Sequence, residues 1–139
     1  TQWIAEKAFN LIPFNNFDEF TLKMIEIYSK TESKNHLIIL NSHPELVVEK
    51  KLTLESKQEQ SGANLNQCSD KEFNEFKKLN INYKNKFGFP FIIAVKGKNR
   101  MEILESFRKR INNTIETEFE EAKEQVKKIA LLRIKDIIK

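Results

Sequence analysis

Three glycines and three prolines are all the punctuation this chain has in 139 residues. A β-rich fold needs a turn residue every few positions, whereas helices run on without one, so that scarcity points to helices. Between the breaks, apolar residues recur at three- and four-residue intervals. Phe17, Phe20, Met24, Ile27 and Tyr28 form one stripe with Asn16 as its cap. Phe73, Phe76, Leu79 and Tyr83 form another behind the capping-box pattern Ser69-x-x-Glu72. Asn99-x-x-Glu102 repeats that pattern before Ile103, Leu104, Phe107 and Ile111. A last helix is expected over about 114–138, acidic in its first turns (Glu116, Glu118, Glu120, Glu121) and basic in its last, as the helix dipole favours. Trp3, Ala8, Phe9 and Leu11 close a short first helix near Asn10, before the turn at Pro13, and a third helix spans about 31–42. Residues 89–95 are apolar enough for a strand. A lone strand has no partner in a helical chain, so a buried extended segment leading into a turn is expected, with Gly88 and Pro90 ending the helix before it. The expected fold class is all-α, a single-domain multi-helix bundle whose 11 Phe supply much of the core.

Charge excludes little. The 24 basic and 20 acidic residues give a net charge of +4 and are mixed along the chain. The densest basic region, Lys96, Lys98, Arg100, Arg108, Lys109 and Arg110, reads as a solvated face ahead of a phosphate-binding one. No apolar run approaches the ~20 residues that cross a bilayer. The one cysteine, Cys68, has no partner for an internal disulfide and fits a reducing compartment. With two histidines seven residues apart, no metal-ligand spacing is present, and there is no phosphate loop or dinucleotide fingerprint. Phe87, Phe89 and Phe91 read as core rather than as a base-stacking platform.

Two places break the apolar logic. His43 follows the run Leu37-Ile38-Ile39-Leu40 and precedes Pro44, which disfavours helix for the residue before it, so His43 sits at a helix-to-loop junction. Downstream, a helix over about 53–63 with Thr53 as its cap puts Ser56, Glu59 and Gln60 on one face, polar where a core face would be apolar. In the last helix, Ile115, Phe119, Ala122, Val126, Ile129, Arg133 and Ile137 share a stripe, and Arg133 interrupts it. Arg133 therefore either finds an anion or snorkels to water at an exposed helix end. A histidine before proline is commonly a cap or a core residue, the reading His36 keeps, and Glu59 and Gln60 are common on helix surfaces. Taken singly, these residues leave both readings open.

The combined pattern is specific. His43-Pro44-Glu45-Leu46, then Leu52-Thr53 and Ser56-x-x-Glu59-Gln60-x-Gly62, together with Leu79-Asn80-x-x-Tyr83-x-x-Lys86-Phe87-Gly88-Phe89-Pro90-Phe91-Ile92, Val95-Lys96-Gly97, Trp3-Ile4-Ala5-Glu6-Lys7-Ala8 and Pro13-Phe14, resembles the 2-oxo-4-hydroxy-4-carboxy-5-ureidoimidazoline (OHCU) decarboxylase family. The resemblance implies decarboxylation of OHCU to (S)-allantoin in urate breakdown, with neither cofactor nor metal. It implies His43 and Glu59 as catalytic residues and Pro44, Ser56, Gln60, Ile92 and Arg133 as substrate-binding residues. Phe91 and Pro90 would shape the wall, and Gly88 would let the chain approach closely. A homodimer, no nucleic-acid or membrane partner, and a bacterial cytoplasm are expected; peroxisomal relatives exist among eukaryotes, and this chain ends without a Ser-Lys-Leu-like address. Two departures from the family pattern are a short 46–52 link and a first helix that the family carries before the Trp3 position. The competing readings are a helical partner-binding module that has kept the fold without activity, and a weak nucleic-acid binder.

Overall fold

The computed structural model describes residues 2–9, 17–46 and 70–137. Among these are six helices and no strand, as the sparse glycine and proline lead one to expect. They are α1 (Gln2–Phe9), α2 (Phe17–Ser29), α3 (Ser33–Asn41), α4 (Asp70–Phe87), α5 (Arg100–Arg110) and α6 (Ile115–Ile137). The expected helix over 53–63, the caps Asn16 and Ser69, and Cys68 lie outside the described residues. The chain divides into two compact units, Thr1–Ile39 and Leu40–Lys139.

In the first unit α1 packs on α2. Ile4 and Ala8, one turn apart, are buried, and so is Tyr28. The stripe expected on α2 is narrower than its sequence suggests. Phe17, the first residue of the helix, is 44% exposed, and of the stripe only Tyr28 is buried. His36 is a core residue as expected, standing edge-on to Tyr28 with ring centroids 4.7 Å apart.

The second unit is built around Tyr83, which is fully buried on α4. Its ring meets Phe87, Phe91 and Phe107 at centroid distances of 4.5, 5.4 and 5.8 Å, and Phe91 stacks flat on Phe107 at 3.9 Å. Phe87, Phe89 and Phe91 are all buried, so they are core as expected. Aromatic pairs of this kind add about 0.5–1.5 kcal/mol each beyond their burial. α4 packs against both α5 and α6.

Residues 89–95 carry no strand pairing and run as an extended buried segment, as expected. At the segment's start, Gly88 takes φ +82° and its N–H returns to the Lys84 carbonyl at 2.8 Å, closing α4. A Cβ at Gly88 would meet nothing within 4 Å, so close approach is not the reason for glycine there; the left-handed φ is. At its end, Lys98 N–H bonds the Val95 carbonyl at 3.0 Å with Gly97 at φ +80°, a type II turn. Asn99 then caps α5 through the full capping box with Glu102. Thr114 caps α6, its hydroxyl accepting from Thr117 N–H at 3.2 Å.

Candidate active site

His43 follows α3, in a turn where its N–H bonds the Leu40 carbonyl at 3.3 Å, and Pro44 follows it outside any helix. Two asparagines fix the backbone on either side. Asn41 donates to the Gly88 carbonyl at 3.2 Å, and Asn80, buried in α4, donates to the Leu46 carbonyl at 2.9 Å. The His43 loop is thereby tied to the C-terminal half of α4 and to the glycine that closes it. His43 and Pro44 are half-buried.

Burial holds the His43 imidazole well below its ordinary value, and the Arg133 guanidinium adds to the effect, so that the group titrates at about 4. Both causes disfavour a charged ring. Arg133, half-buried on α6, is thus close enough to act on His43 directly, and the two residues singled out independently in the sequence share one locality. At neutral pH His43 is an uncharged imidazole within the field of the Arg133 cation, which also attracts an anion.

The α6 stripe differs from its expected form at both ends. Ile115 is 54% and Ile137 76% exposed, whereas Glu118 is fully buried and Gln125 is buried with Ala122, Val126 and Ile129. The inner face begins at Glu118, whose carboxylate is bonded by Arg110, Asn113 and Tyr83. Glu118 is therefore no dipole-complementing surface residue. Arg110 likewise is not part of a solvated basic face: it is buried, and Arg100 and Arg108 pair with Glu72 and Glu75 at 2.8 and 2.6 Å.

Arg110 and Glu118 form a buried ion pair, with Arg110 Nη2 and Nε within 2.9 and 3.0 Å of the carboxylate oxygens. Asn113 donates to the same carboxylate at 3.2 Å, and the Tyr83 hydroxyl donates to it as well. Burial, and then that carboxylate, push the Tyr83 phenol far up, so it stays a donor. The third Arg110 nitrogen, Nη1, donates to the Ile92 carbonyl at 2.9 Å, and the guanidinium lies 4.4 Å over the Phe91 ring. Gln125 accepts from the Ala94 N–H at 2.9 Å and is itself held by Glu121 at 2.7 Å. Lys96 reaches Asp136 at 3.7 Å. The last two fastenings bracket Arg133 along α6, so the extended segment carrying Ile92 follows the helix that carries Arg133.

Of the residues expected in the site, His43 and Arg133 are brought together, Pro44 adjoins His43, and Ile92 is locked in the extended segment. Ser56, Glu59 and Gln60 lie outside the described residues. The sequence reading missed Asn80, Arg110, Glu118 and Gln125. The signal that flagged Arg133 would have found Asn80 and Arg110, since Asn80 sits between Phe76 and Tyr83, and Arg110 follows Phe107, at helical spacing on buried faces. Among the described residues no three His, Cys, Asp or Glu side chains converge as a metal site requires.

The uric acid degradation bifunctional protein of Bacillus sp. (strain TB-90) is 38% identical over all 139 residues, which cover 28% of that protein; PucL of Bacillus subtilis is 36% identical with the same 28% covered. The chain thus spans under a third of these two relatives. The OHCU decarboxylase of Haloferax volcanii is 34% identical over 132 residues, 95% of this chain and 79% of that one. A crystal structure of OHCU decarboxylase in the presence of (S)-allantoin superposes with a TM-score of 0.82 at 26% identity, covering 97% of this chain and 89% of that one. The family model for OHCU decarboxylase matches residues 1–135, and this chain belongs to that family.

Proposed function

We propose that the chain decarboxylates OHCU to (S)-allantoin without a cofactor. The observation that carries this reading is the electrostatic coupling of a neutral His43 to the Arg133 cation, two residues to which the sequence resemblance assigns an acid–base and a substrate-binding role. The carbon that loses carboxylate also bears a hydroxyl and adjoins a carbon–nitrogen double bond. When the carbon–carbon bond breaks and CO2 leaves, its electron pair passes toward that imine, which takes up a proton at nitrogen. The hydroxyl then gives up its proton as it becomes a carbonyl, and the neighbouring carbon gains one on a single face.

The protein's task is orientation, electrostatics and proton delivery. Arg133 offers forked donors to an anionic or carbonyl oxygen, with Gln60 and Ser56 adding directed bonds. His43, uncharged, exchanges the hydroxyl proton, and Glu59 orients it or serves the new stereocentre. An anionic substrate seated between His43 and Arg133 offsets the repulsion that holds the imidazole down and so strengthens it as a base. Pro44 and Ile92 line the site. The nucleic-acid reading loses ground because Arg100, Arg108 and Arg110 are each paired with a carboxylate. A homodimer rests on the resemblance, and light scattering decides it.

Freshly prepared OHCU supplies the test. Its absorbance should decay faster with the protein than without, and His43→Asn should abolish most of the acceleration while the far-ultraviolet dichroism stays helical. A folded protein that leaves the decay at its background rate is an inactive binding module.

A further inference from the structure

Arg110 divides its donors between two tasks. Nε and Nη2 go to Glu118, and Nη1 goes to the backbone carbonyl of Ile92. The ion pair alone would hold Arg110 in the core, so the third bond is an additional constraint on the extended segment. A trans peptide is planar with its C=O and N–H opposed, so drawing the Ile92 carbonyl to Arg110 turns the Ile93 N–H to the opposite side. Neither the Ile92 nor the Ile93 N–H has a partner among the described residues, although both residues are buried, at 4% and 7% exposed. Buried backbone donors are nearly always satisfied, so two donors that meet no acceptor among the described residues, in a segment held on both sides, are placed to take a ligand acceptor.

We propose that Arg110 is a positioning residue for the decarboxylation, resting on the reading of the function above. Glu118 and Tyr83 fix the guanidinium, the guanidinium fixes the 92–93 peptide, and that peptide presents its N–H to an oxygen acceptor of the substrate. Arg110 touches no substrate itself. Its lever is rigidity: the Phe91 ring under the guanidinium and the Gln125 bond to Ala94 hold the residues on either side, so the peptide cannot turn once Nη1 is seated.

Arg110→Lys separates this role from a structural one. The lysine keeps the charge opposite Glu118 but cannot hold the carboxylate and the Ile92 carbonyl in the same fork. At a temperature where the variant is fully folded, kcat/KM should fall about ten- to hundredfold per folded molecule, with Arg108→Lys, in the exposed Glu75 pair, as the unaffected control. A kcat/KM within twofold of wild type, with only the melting temperature lowered, overturns the proposal. Should the variant not fold, the wild type decides through its amide resonances: adding (S)-allantoin should shift the Ile93 N–H and slow its exchange. An Ile93 amide that stays unmoved while His43 responds overturns the proposal and leaves the enzyme reading intact. A wild type that neither turns over OHCU nor responds to (S)-allantoin at any residue removes the function on which the proposal rests.

Discussion

Arg133 acts on His43 and on the expected ligand with opposite signs. It lowers the basicity of the imidazole and raises the affinity for an anion. The folded chain holds His43 near 4 and an unfolded chain protonates it near 6.5, so the unfolded state binds more protons between those values. Stability should therefore fall as pH drops through that window. In a ring-proton titration assigned with His43→Asn, the His43 midpoint should lie near 4, and Arg133→Gln should raise it part of the way to 6.5, since burial remains the larger cause. A midpoint unmoved by Arg133→Gln would show that the two groups do not sense each other. Arg133→Lys probes the fork instead of the charge. The loss of one directed bond to an anionic oxygen should cost about 1.5–3 kcal/mol in transition-state binding, read as kcat/KM. A snorkelling arginine would leave turnover alone and change stability by less than about 0.5 kcal/mol.

At the scale of the elements, a helix start was legible where a cap and its reciprocal partner sit in the sequence before α5. Asn99-x-x-Glu102 gave the start of α5, and the side chains make both bonds of the box, the Asn99 oxygen accepting from Glu102 N–H at 2.9 Å. Asn99→Ala should cost about 1 kcal/mol in denaturant unfolding with the slope unchanged, since it removes a bond from a helix end and leaves the core alone. Helix rotation was less legible. The α6 stripe read from apolar residues alone started at Ile115, but its buried face starts at Glu118. Pattern reading counts a carboxylate as polar and therefore outward. Glu118 turns inward because Arg110, Asn113 and Tyr83, remote in sequence or across a loop, all bond it, and no local pattern carries that information. The extended segment 89–95 was legible for a related reason, since an apolar run without a pairing partner has to be fastened by side chains, as Arg110 and Gln125 do.

For the whole molecule, the all-α class followed from the few turn residues, and the family from motifs spread along nearly the whole chain. His43 and Arg133 are 90 positions apart, and only the resemblance joined them before the structure placed them in one locality. Buried polar groups make this unit demanding to build. Removing one member of the Arg110–Glu118 pair would strand a buried charge at a cost of about 3–5 kcal/mol, a large part of the stability of an ordinary domain. Such a network is tolerable where it fixes backbone near a site. The chain spans 28% of its bifunctional Bacillus relatives, so whether these 139 residues carry out the reaction by themselves is a question about the chain alone. The stereochemistry of the product answers it. Uncatalysed decay of OHCU has no preferred face and gives racemic allantoin, whereas a site that delivers the proton from one side gives a single hand. Followed by circular dichroism on fresh OHCU, the chain should produce the growing signal of (S)-allantoin in step with the loss of substrate; racemic, dichroism-silent allantoin formed at the background rate would contradict a decarboxylase site built on His43 and Arg133.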